Sequence, residues 1–179
     1  FRSVPSHFQI LLRKSEKFKS AEFQSLRYVT QAGGKLHKVF IEEFINAFPN
    51  INFFVMYGQT EATARLSYLE PKELKSKLGS IGKGIPNVQL KVVNQSGKKV
   101  LPGETGEIIA KGNNVMLGYY KEPEMTKAVL KNGWLYTGDI GTVDSDGYIY
   151  LTARNKEFIK IAGKRVSPKE IEEVIVSFP

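Results

Sequence analysis

Two apolar runs on either side of one amphipathic helix constrain the fold of this chain more than any other feature. The runs occupy residues 26–30 and 53–57, and the second is apolar without interruption, as in a strand that is covered on both faces. Between them the apolar residues recur with the helical period, and Glu42, Glu43 and Asn46 fall on the polar side. The apolar stripe of this helix consists of Leu36, Val39, Phe40, Phe44, Ala47 and Phe48. A strand, a helix and a second strand in this order predict a right-handed parallel unit.

The loops that follow the two runs carry small and polar residues. Gly33 and Gly34 follow the first run, and residues 58–61 follow the second. Ligands of open α/β sheets bind at the carboxyl ends of the strands, so we expect both loops to face one crevice. The glycine pair would allow a close backbone approach or a positive φ, although an ordinary turn can use the same pair.

The pattern divides the chain into three parts. Residues 1–78 are predicted to be α/β, with little signal in the first 25 residues. Residues 79–152 contain short apolar runs between clusters of turn residues, which predicts an antiparallel, β-barrel-like subdomain. Residues 153–179 are predicted to begin a small α+β domain. The fold class is therefore α/β plus β.

The third part combines a hairpin signal with a helix start. Residues 158–161 and 165–166 predict the hairpin. Ser167, Pro168 and Glu170 then have the pattern of a capped helix start with a capping box. The predicted apolar stripe of the helix consists of Ile171, Val174, Ile175 and Phe178. Because this stripe has no partner element before the chain stops, and because the chain does not begin with Met, we expect a piece of a longer protein.

Composition narrows the setting of the protein. The chain has no cysteine, which excludes disulfides and cysteine metal sites and favours a reducing, cytoplasmic compartment. No apolar run is long enough for a membrane span. The net charge of +8 favours anionic partners, but no dense basic run with interleaved aromatic residues predicts nucleic-acid binding. Most lysines are interpreted as solvated, including Lys14, Lys17, Lys19, Lys72, Lys75 and Lys77.

Three short motifs together supply an unusual set of chemical groups. They are Tyr57-Gly58-Gln59-Thr60-Glu61, then Tyr136-Thr137-Gly138-Asp139, then Arg154-x-Lys156-x-x-x-Lys160-x-x-Gly163. An aromatic face, hydroxyl groups, two carboxylates and late cations are the groups that can hold a nucleotide, its metal ion and a reacting phosphate. No single motif would carry this interpretation alone.

With two further runs, these motifs resemble the adenylate-forming enzymes, which comprise acyl-CoA synthetases, adenylation domains of nonribosomal peptide synthetases, and luciferases. The further runs are Gly106-Glu107-Ile108-x-x-x-Gly112-x-x-Val115-x-x-Gly118-Tyr119 and Lys160-Ile161-x-Gly163-x-Arg165-Val166-Ser167-Pro168-x-Glu170-Ile171-Glu172. The resemblance implies the end of a large N-terminal region followed by the start of a mobile C-terminal lid. The phosphate loop and the catalytic lysine of the family would then lie upstream and downstream of this chain.

The resemblance implies roles for individual residues. Tyr57 would stack on adenine, Thr60 would donate to a phosphate oxygen, and Glu61 would hold Mg²⁺, which commonly takes only one or two protein carboxylates. Asp139 would accept hydrogen bonds from the two ribose hydroxyls, and Arg154 would contact the ribose or a phosphate. The implied nucleotide-binding set also contains Gly33, Gly34, Gly58 and Gln59.

The last part of the chain carries the remaining implied roles. Lys160 would approach the nucleotide in one lid position and is a catalytic candidate together with Thr60 and Glu61. Lys156 would be the hinge, although a surface cation is almost as good an interpretation. Gly163 would line the tunnel for the pantetheine arm of CoA.

Other residues receive structural interpretations. Lys35 stands where the family usually has Pro; it could meet an acidic tail of the acyl substrate, but we expect its side chain to point to solvent. Asp144, Asp146 and Gly147 resemble the start of a calcium loop, but Asn155 replaces the required glutamate, so a hairpin turn is predicted. His7 and His37 are isolated, and packing or surface roles are expected for both.

The implied function is that of an AMP-forming acyl-CoA synthetase of the kind used in fatty acid metabolism. It would use ATP and Mg²⁺ to activate a carboxylic acid as acyl-AMP and would transfer the acyl group to CoA. Val166-Ser167-Pro168 favours this class over a domain that loads a carrier protein. A nucleotide-binding fragment without activity of its own is the other alternative, and the sequence does not identify the acyl substrate.

Overall fold

The computed structural model describes residues 1–154, the backbone of residues 159–161 and 164–166, and residues 168, 171, 174 and 175. The helices in this part are α1 (Pro5–Lys14), α2 (Glu16–Lys19), α3 (Lys38–Ala47) and α4 (Pro123–Val129). The strands are β1 (Arg2–Ser3), β2 (Tyr28–Gln31), β3 (Asn52–Tyr57), β4 (Ser67–Leu69), β5 (Ser80–Gly84), β6 (Gln89–Val93), β7 (Thr105–Lys111), β8 (Leu130–Lys131), β9 (Trp134–Val143), β10 (Ile149–Arg154), β11 (Ile159–Ile161) and β12 (Lys164–Val166).

The first three strands confirm the predicted parallel unit. β1 pairs with β2 and β2 with β3, both in parallel, and Val29 lies opposite Phe53. α1 connects β1 to β2, and α3 connects β2 to β3. Because the strands follow each other in one direction across the sheet, right-handed crossovers place both helices on the same face. Phe8 of α1 and Phe44 of α3 both pack on Phe53, and all three are almost fully buried.

The prediction that β3 is covered on both faces is wrong for this chain. Burial alternates along the strand, and Phe54 and Met56 are only half-buried. The reason is that α1 and α3 cover one face. On the other face, the ring of Phe54 contacts those of Tyr28 and Tyr68 across the neighbouring strands.

The predicted stripe of α3 needs two corrections. It omits Ile41, which is buried, and it includes Ala47, which is exposed. The helix runs from Lys38 to Ala47, so Leu36 precedes it and Phe48 follows it, although both side chains are buried as expected. Ile41 lies beside Phe40 and Phe44 on a stripe that is wider than a single row of residues.

The antiparallel part continues the same sheet. The order of the described strands is β1-β2-β3-β4-β5-β10-β9-β7-β6, with β8 paired to β9. The barrel-like character is loose, because among the described strands the order ends at β6 and does not close on itself. The predicted turn at residues 144–147 is confirmed, since it joins β9 to the antiparallel β10. β4 pairs with β5 across the predicted boundary near residue 78, so the sheet is continuous there. The division into domains stays a prediction.

Two apolar clusters support the two parts of the sheet. The first surrounds Phe8, Phe44 and Phe53 beneath the parallel strands. The second lies within the antiparallel part and includes Ile108 and Leu135. Tyr57 at the end of β3 belongs to the second cluster. The end of the parallel unit is therefore anchored in the antiparallel core, which fixes the two parts against each other where their strands meet.

The last elements agree with the hairpin prediction. β11 pairs with β12 in antiparallel fashion, and Lys160 lies opposite Arg165. Three apolar residues of the predicted helix stripe are exposed, namely Ile171, Val174 and Ile175. Ser167, Glu170 and Phe178 lie outside the described residues. None of the helices described is long and apolar enough to cross a membrane.

Candidate nucleotide-binding site

A cleft of about 450 Å³ opens where the parallel strands meet β9 and β10. It is lined by both predicted loops, Gly33-Gly34 and residues 58–61, and by Asp139 and Arg154. The expectation that the two loops face one crevice is therefore confirmed. Glu61 and Arg154 also border a neighbouring cleft of about 610 Å³. The turn that carries Glu61 thus forms the wall between the two spaces.

Asp139 is the most constrained polar group of the cleft. It is 3% exposed, and its two oxygens have different partners. The Tyr57 hydroxyl donates to Oδ2 over 2.8 Å, and Arg154 Nε donates to Oδ1 over 2.8 Å. A carboxylate offers about four lone-pair positions, so this arrangement leaves acceptor capacity for two hydroxyls of a ligand.

Tyr57 takes part in this arrangement mainly through its hydroxyl. Its ring lines the cleft but is only 8% exposed. Burial, followed by the negative charge of Asp139, raises the pKa of the Tyr57 hydroxyl above its ordinary value. The hydroxyl therefore stays protonated at neutral pH and remains a hydrogen-bond donor. Only a small part of the ring is available for stacking on a ligand.

An irregularity in β9 places Asp139 in the cleft. Glu107 pairs with Ile140 and Ile109 pairs with Tyr136, so that a single β7 residue faces the three residues 137–139. Gly138 has φ +73°, a conformation that favours glycine. The extra length is held by Thr137, whose hydroxyl donates to the Ile108 carbonyl and accepts from the Asp139 N–H. Such a bulge redirects a side chain from its normal position on the strand.

The turn that carries Glu61 is tightly packed against its own backbone. Thr63 and Ala64, just beyond it, both have left-handed φ values, of 50° and 61°. Gly58 lies against this stretch, and a Cβ atom on Gly58 would stand 2.6 Å from the Ala64 carbonyl oxygen. A side chain at Gly58 would therefore displace the turn. The glycine is required for the close approach of the backbone, and this explains its place between Tyr57 and Gln59.

Glu61 itself is half-buried and lightly held. The Tyr119 hydroxyl donates to its Oε1 over 2.7 Å, and this hydrogen bond raises the pKa of the Tyr119 hydroxyl. Oε2 accepts no hydrogen bond from the part of the chain that the structure describes. Thr60, beside it, is exposed and lines the cleft. Glu61 is therefore more accessible to a cleft ligand than Asp139.

The residues present fit a magnesium ion of the kind held mainly by a nucleotide. Within the described residues, no three His, Cys, Asp or Glu side chains are grouped closely enough to form a complete metal cage. Mg²⁺ does not need one, because it retains waters and is commonly held by one or two carboxylates and substrate phosphates. Glu61, with one oxygen unpaired by the described residues, meets that requirement.

The loop after β2 forms the opposite wall. Gln31 is buried, and its Nε2 donates to the Gly34 carbonyl over 2.6 Å, which fixes the glycine pair. Gly33 has φ +83°. Lys35 is half-buried and borders the cleft, so the expectation that its side chain points to solvent stays a prediction.

Several functional candidates were not found from the sequence. Asn114 and Tyr119 contact the Glu61 turn, and Glu107 accepts a hydrogen bond from the Gly138 N–H. Glu107 and Tyr119 lie within the motif runs, but no chemical signal distinguished them from packing residues. Asn114 occupies an unspecified position of the same run. Only long-range contacts identify these three residues.

Three predicted site residues cannot be placed in the cleft. Lys160 lies in β11, but its side chain is not among the parts described, and Lys156 and Gly163 lie outside the described residues. Of the two histidines, His7 hydrogen-bonds Ser3 through Nδ1 over 2.7 Å, and His37 precedes α3. Neither lines the cleft of Asp139 and Glu61.

Comparisons with known proteins show the family to which the chain belongs. Residues 1–120 match the family described as AMP-binding enzyme. The chain is 36% identical over 181 residues to 4-coumarate–CoA ligase-like 6 of Arabidopsis thaliana. The aligned region covers 100% of this chain and 32% of that protein.

Solved structures show the same relationship. O-succinylbenzoate CoA synthetase of Bacillus subtilis, in complex with ATP and a magnesium ion, is 31% identical with a TM-score of 0.86, over 99% of this chain and 36% of that one. Amide bond synthetase McbA of Marinactinospora thermotolerans is 28% identical with a TM-score of 0.89, over the same shares of the two chains. The chain thus spans about a third of the length of the relatives it matches. The family match over residues 1–120 and the similarity in sequence and fold show that the chain belongs to the AMP-binding enzyme family.

Proposed function

We propose that this chain is the nucleotide-binding part of a longer, ATP-dependent acid–thiol ligase. The complete protein would activate a carboxylic acid, such as a fatty acid, as acyl-AMP with release of pyrophosphate, and would then transfer the acyl group to CoA. The observation that carries this proposal is that Glu61 and Asp139 line the same cleft although 78 positions separate them in sequence (139 − 61). The cysteine-free composition of the chain is also compatible with the expected cytoplasmic location.

Asp139 and Arg154 would bind the ribose side of the nucleotide. The free lone pairs of Asp139 can accept from two vicinal hydroxyls, while Tyr57 and Arg154 hold the carboxylate in place. Because this carboxylate is already fixed before a ligand arrives, little rotamer freedom is lost on binding. Gly33, Gly34, Gly58 and Gln59 would border the nucleotide with backbone and small side chains.

Glu61 and Thr60 would serve the phosphate side. Glu61 would hold Mg²⁺, and the ion would supply neutralisation of phosphate charge during the displacement at the α-phosphate. Thr60 would donate its hydroxyl to a phosphate oxygen. Lys160, Lys156 and Gly163 keep their expected roles as nucleotide contact, hinge and CoA-tunnel residue. Positioning and electrostatics would thus provide most of the catalysis.

The test is pyrophosphate exchange by the complete protein with a panel of carboxylic acids. Acid-dependent exchange that requires ATP and Mg²⁺ is expected. The isolated 179-residue chain is expected to give no acyl-AMP, because the phosphate loop and the catalytic lysine implied by the family resemblance would lie outside it. Absence of exchange by the complete protein with every acid would contradict the proposal.

The acceptor is tested separately. An amine is a second candidate acceptor beside CoA, because the fold is as similar to that of amide bond synthetase McbA as to that of a CoA synthetase. The adenylate formed in the first test would be offered CoA, a phosphopantetheinylated carrier protein and a primary amine. Transfer to CoA is expected, and preferential transfer to the carrier protein or the amine would overturn that part of the proposal.

A further inference from the structure

Residues 114–119 lie across the Glu61 turn and are here called the latch segment. Four of its hydrogen bonds involve the backbone of the turn or the hydroxyl of Thr63. Asn114 Nδ2 donates to the carbonyls of Ala62 and Arg65, the Met116 N–H donates to the Glu61 carbonyl, and the Thr63 hydroxyl donates to the Asn114 carbonyl. These contacts fix the path of the turn without involving the Glu61 carboxylate.

Tyr119 makes a different kind of contact. Its hydroxyl donates to Glu61 Oε1 over 2.7 Å, and this hydrogen bond holds the carboxylate itself. The Tyr119 backbone is fixed in turn, because its N–H donates to Thr126 Oγ1 over 2.8 Å. Gly118 allows this approach, since a Cβ atom there would stand 2.8 Å from Thr126 Cγ2. The phenol is thus supported from behind and directed at one oxygen of Glu61.

We propose that Tyr119 is a positioning residue for the metal-binding carboxylate of Glu61. By donating to Oε1, the phenol restricts the rotation of the side chain and presents Oε2, which accepts no hydrogen bond from the described residues, to a divalent cation. Outer partners of this kind commonly change metal affinity by about tenfold or more when they are removed. The inference rests on the proposed function, which assigns the cation to Glu61.

The geometry separates this role from support of the fold. Removing the phenol oxygen leaves the four latch hydrogen bonds in place. The next residue, Tyr120, offers a matched control, because it is the same residue type but 86% exposed. Tyr119→Phe and Tyr120→Phe therefore delete the same atom at adjacent positions, one facing Glu61 and one facing solvent.

The experiment measures the affinity of the complete protein for α,β-methylene-ATP, which binds without turnover, by isothermal titration calorimetry. With Mg²⁺ present, Tyr119→Phe is expected to bind about tenfold more weakly than wild type. With EDTA, the two should bind equally. Tyr120→Phe should match wild type in both conditions. Equal affinities of Tyr119→Phe and wild type in Mg²⁺, or an equal loss in EDTA, would overturn the inference, and so would loss of the folded state in Tyr119→Phe.

A double-mutant cycle shows whether Tyr119 acts through Glu61. In a Glu61→Gln background, Tyr119→Phe should cause no further loss of magnesium-dependent affinity, because the positioned group is already gone. An additive loss would contradict the inference. If wild type binds the nucleotide analogue neither with Mg²⁺ nor with EDTA, the proposed function itself fails. If wild type binds and Tyr119→Phe binds with the same affinity, only the inference about Tyr119 fails.

Discussion

Asp139 and Glu61 are two carboxylates of one cleft in contrasting environments. Asp139 is almost fully buried, and both of its oxygens accept hydrogen bonds, from Tyr57 and Arg154. Glu61 is half-buried, and among the described residues its carboxylate accepts one hydrogen bond, from the Tyr119 hydroxyl to Oε1. One carboxylate lies in the middle of a strand and the other in a short turn.

The difference teaches how one cleft can combine recognition with metal binding. A buried carboxylate held by a cation and a hydroxyl has one orientation, which suits the recognition of a fixed pair of ligand groups. A half-buried carboxylate with one oxygen that accepts no hydrogen bond from the described residues can present that oxygen to a cation that keeps its waters. Removal of each carboxylate should therefore have different consequences for stability and for ligand binding.

Asp139→Ala should have the largest effect. It leaves the buried Tyr57 hydroxyl without its acceptor, which costs about 2 kcal/mol of unfolding free energy. Loss of two ligand hydrogen bonds to a charged group should weaken nucleotide binding by about 3 kcal/mol, or roughly a hundredfold. Denaturant unfolding and titration of the complete protein with ATP would measure the two quantities.

Tyr57→Phe is the matched control for this variant. It removes the same buried hydrogen bond but keeps the carboxylate, so stability should fall by about 1 kcal/mol and nucleotide affinity should change less than about threefold. If Tyr57→Phe weakened nucleotide binding as much as Asp139→Ala does, the hydroxyl and not the carboxylate would be the recognition group.

Glu61→Gln should have an intermediate effect that is limited to the metal. Because the side chain is half-buried and keeps its shape, the unfolding free energy should change by less than about 0.5 kcal/mol. Pyrophosphate exchange should fall by about tenfold or more and should partly recover at higher Mg²⁺ concentration. An exchange rate that did not depend on Mg²⁺ concentration in the variant, or a loss of stability like that of Asp139→Ala, would remove the distinction between the two carboxylates.

Periodicity and motif order were sufficient to predict the parallel unit and its crevice. The helical stripe of Phe40 and Phe44 and the apolar run that ends at Tyr57 indicate a strand on either side of a helix. Chain order then placed Gly33 and Gly58 at the same sheet edge, because both follow parallel strands. The crevice could therefore be predicted without any knowledge of distant contacts. The first helix was missed, although Pro5, Phe8 and Leu12 carried its start and its buried face.

The contacts that complete the site could not be predicted in the same way. Asn114 and Tyr119 contact the Glu61 turn although 49 to 58 positions of sequence separate the partners. The periodicity of apolar residues within one element does not predict contacts between distant elements. The length of β9 was also missed, because Gly138 within it is typical of a turn and only the pairing with β7 shows a bulge. Packing of one element on another decides these features.

Lys77 shows how a similar pairing can serve the fold alone. The prediction that it is solvated is wrong, since its side chain is only 16% exposed, and its ammonium group hydrogen-bonds Asp144 over 2.8 Å and also contacts Asp146. It also lies over the ring of Tyr148. The contacts tie the segment before β5 to the turn between β9 and β10. Like Asp139, Asp144 is held by a cation, but neither Lys77 nor Asp144 lines the nucleotide cleft.

Lys77→Ala should therefore have the smallest effect on function and a measurable effect on stability. The Tm of Lys77→Ala should fall below that of wild type. Lys75 is exposed, so Lys75→Ala should leave the Tm unchanged. Both variants should bind ATP with the affinity of wild type. A weakened ATP affinity in Lys77→Ala would show that the turn and the cleft are coupled. A Tm equal to that of Lys75→Ala would show that the ion pair does not contribute to stability.

The pH dependence of this Tm difference gives a second check. Partial burial acts to raise the pKa of Asp144, but hydrogen bonds from Lys77 and from the N–H groups of Tyr148 and Asp146 hold it below its usual value. The hydrogen bonds that Lys77 donates to the side chains of Asp144 and Asp146 raise the pKa of Lys77. A depressed carboxyl pKa stabilises the fold above the unfolded value of about 4, and that stabilisation is lost as the pH falls through the folded pKa. A raised lysine pKa stabilises the fold below about pH 10.4, and this contribution is lost as the pH rises through the folded pKa.

The Tm difference between wild type and Lys77→Ala should hence stay constant between about pH 5 and pH 9 and shrink below about pH 4. A difference that persisted in acid would mean that Lys77 stabilises the turn through its packing on Tyr148 and not through the carboxylate.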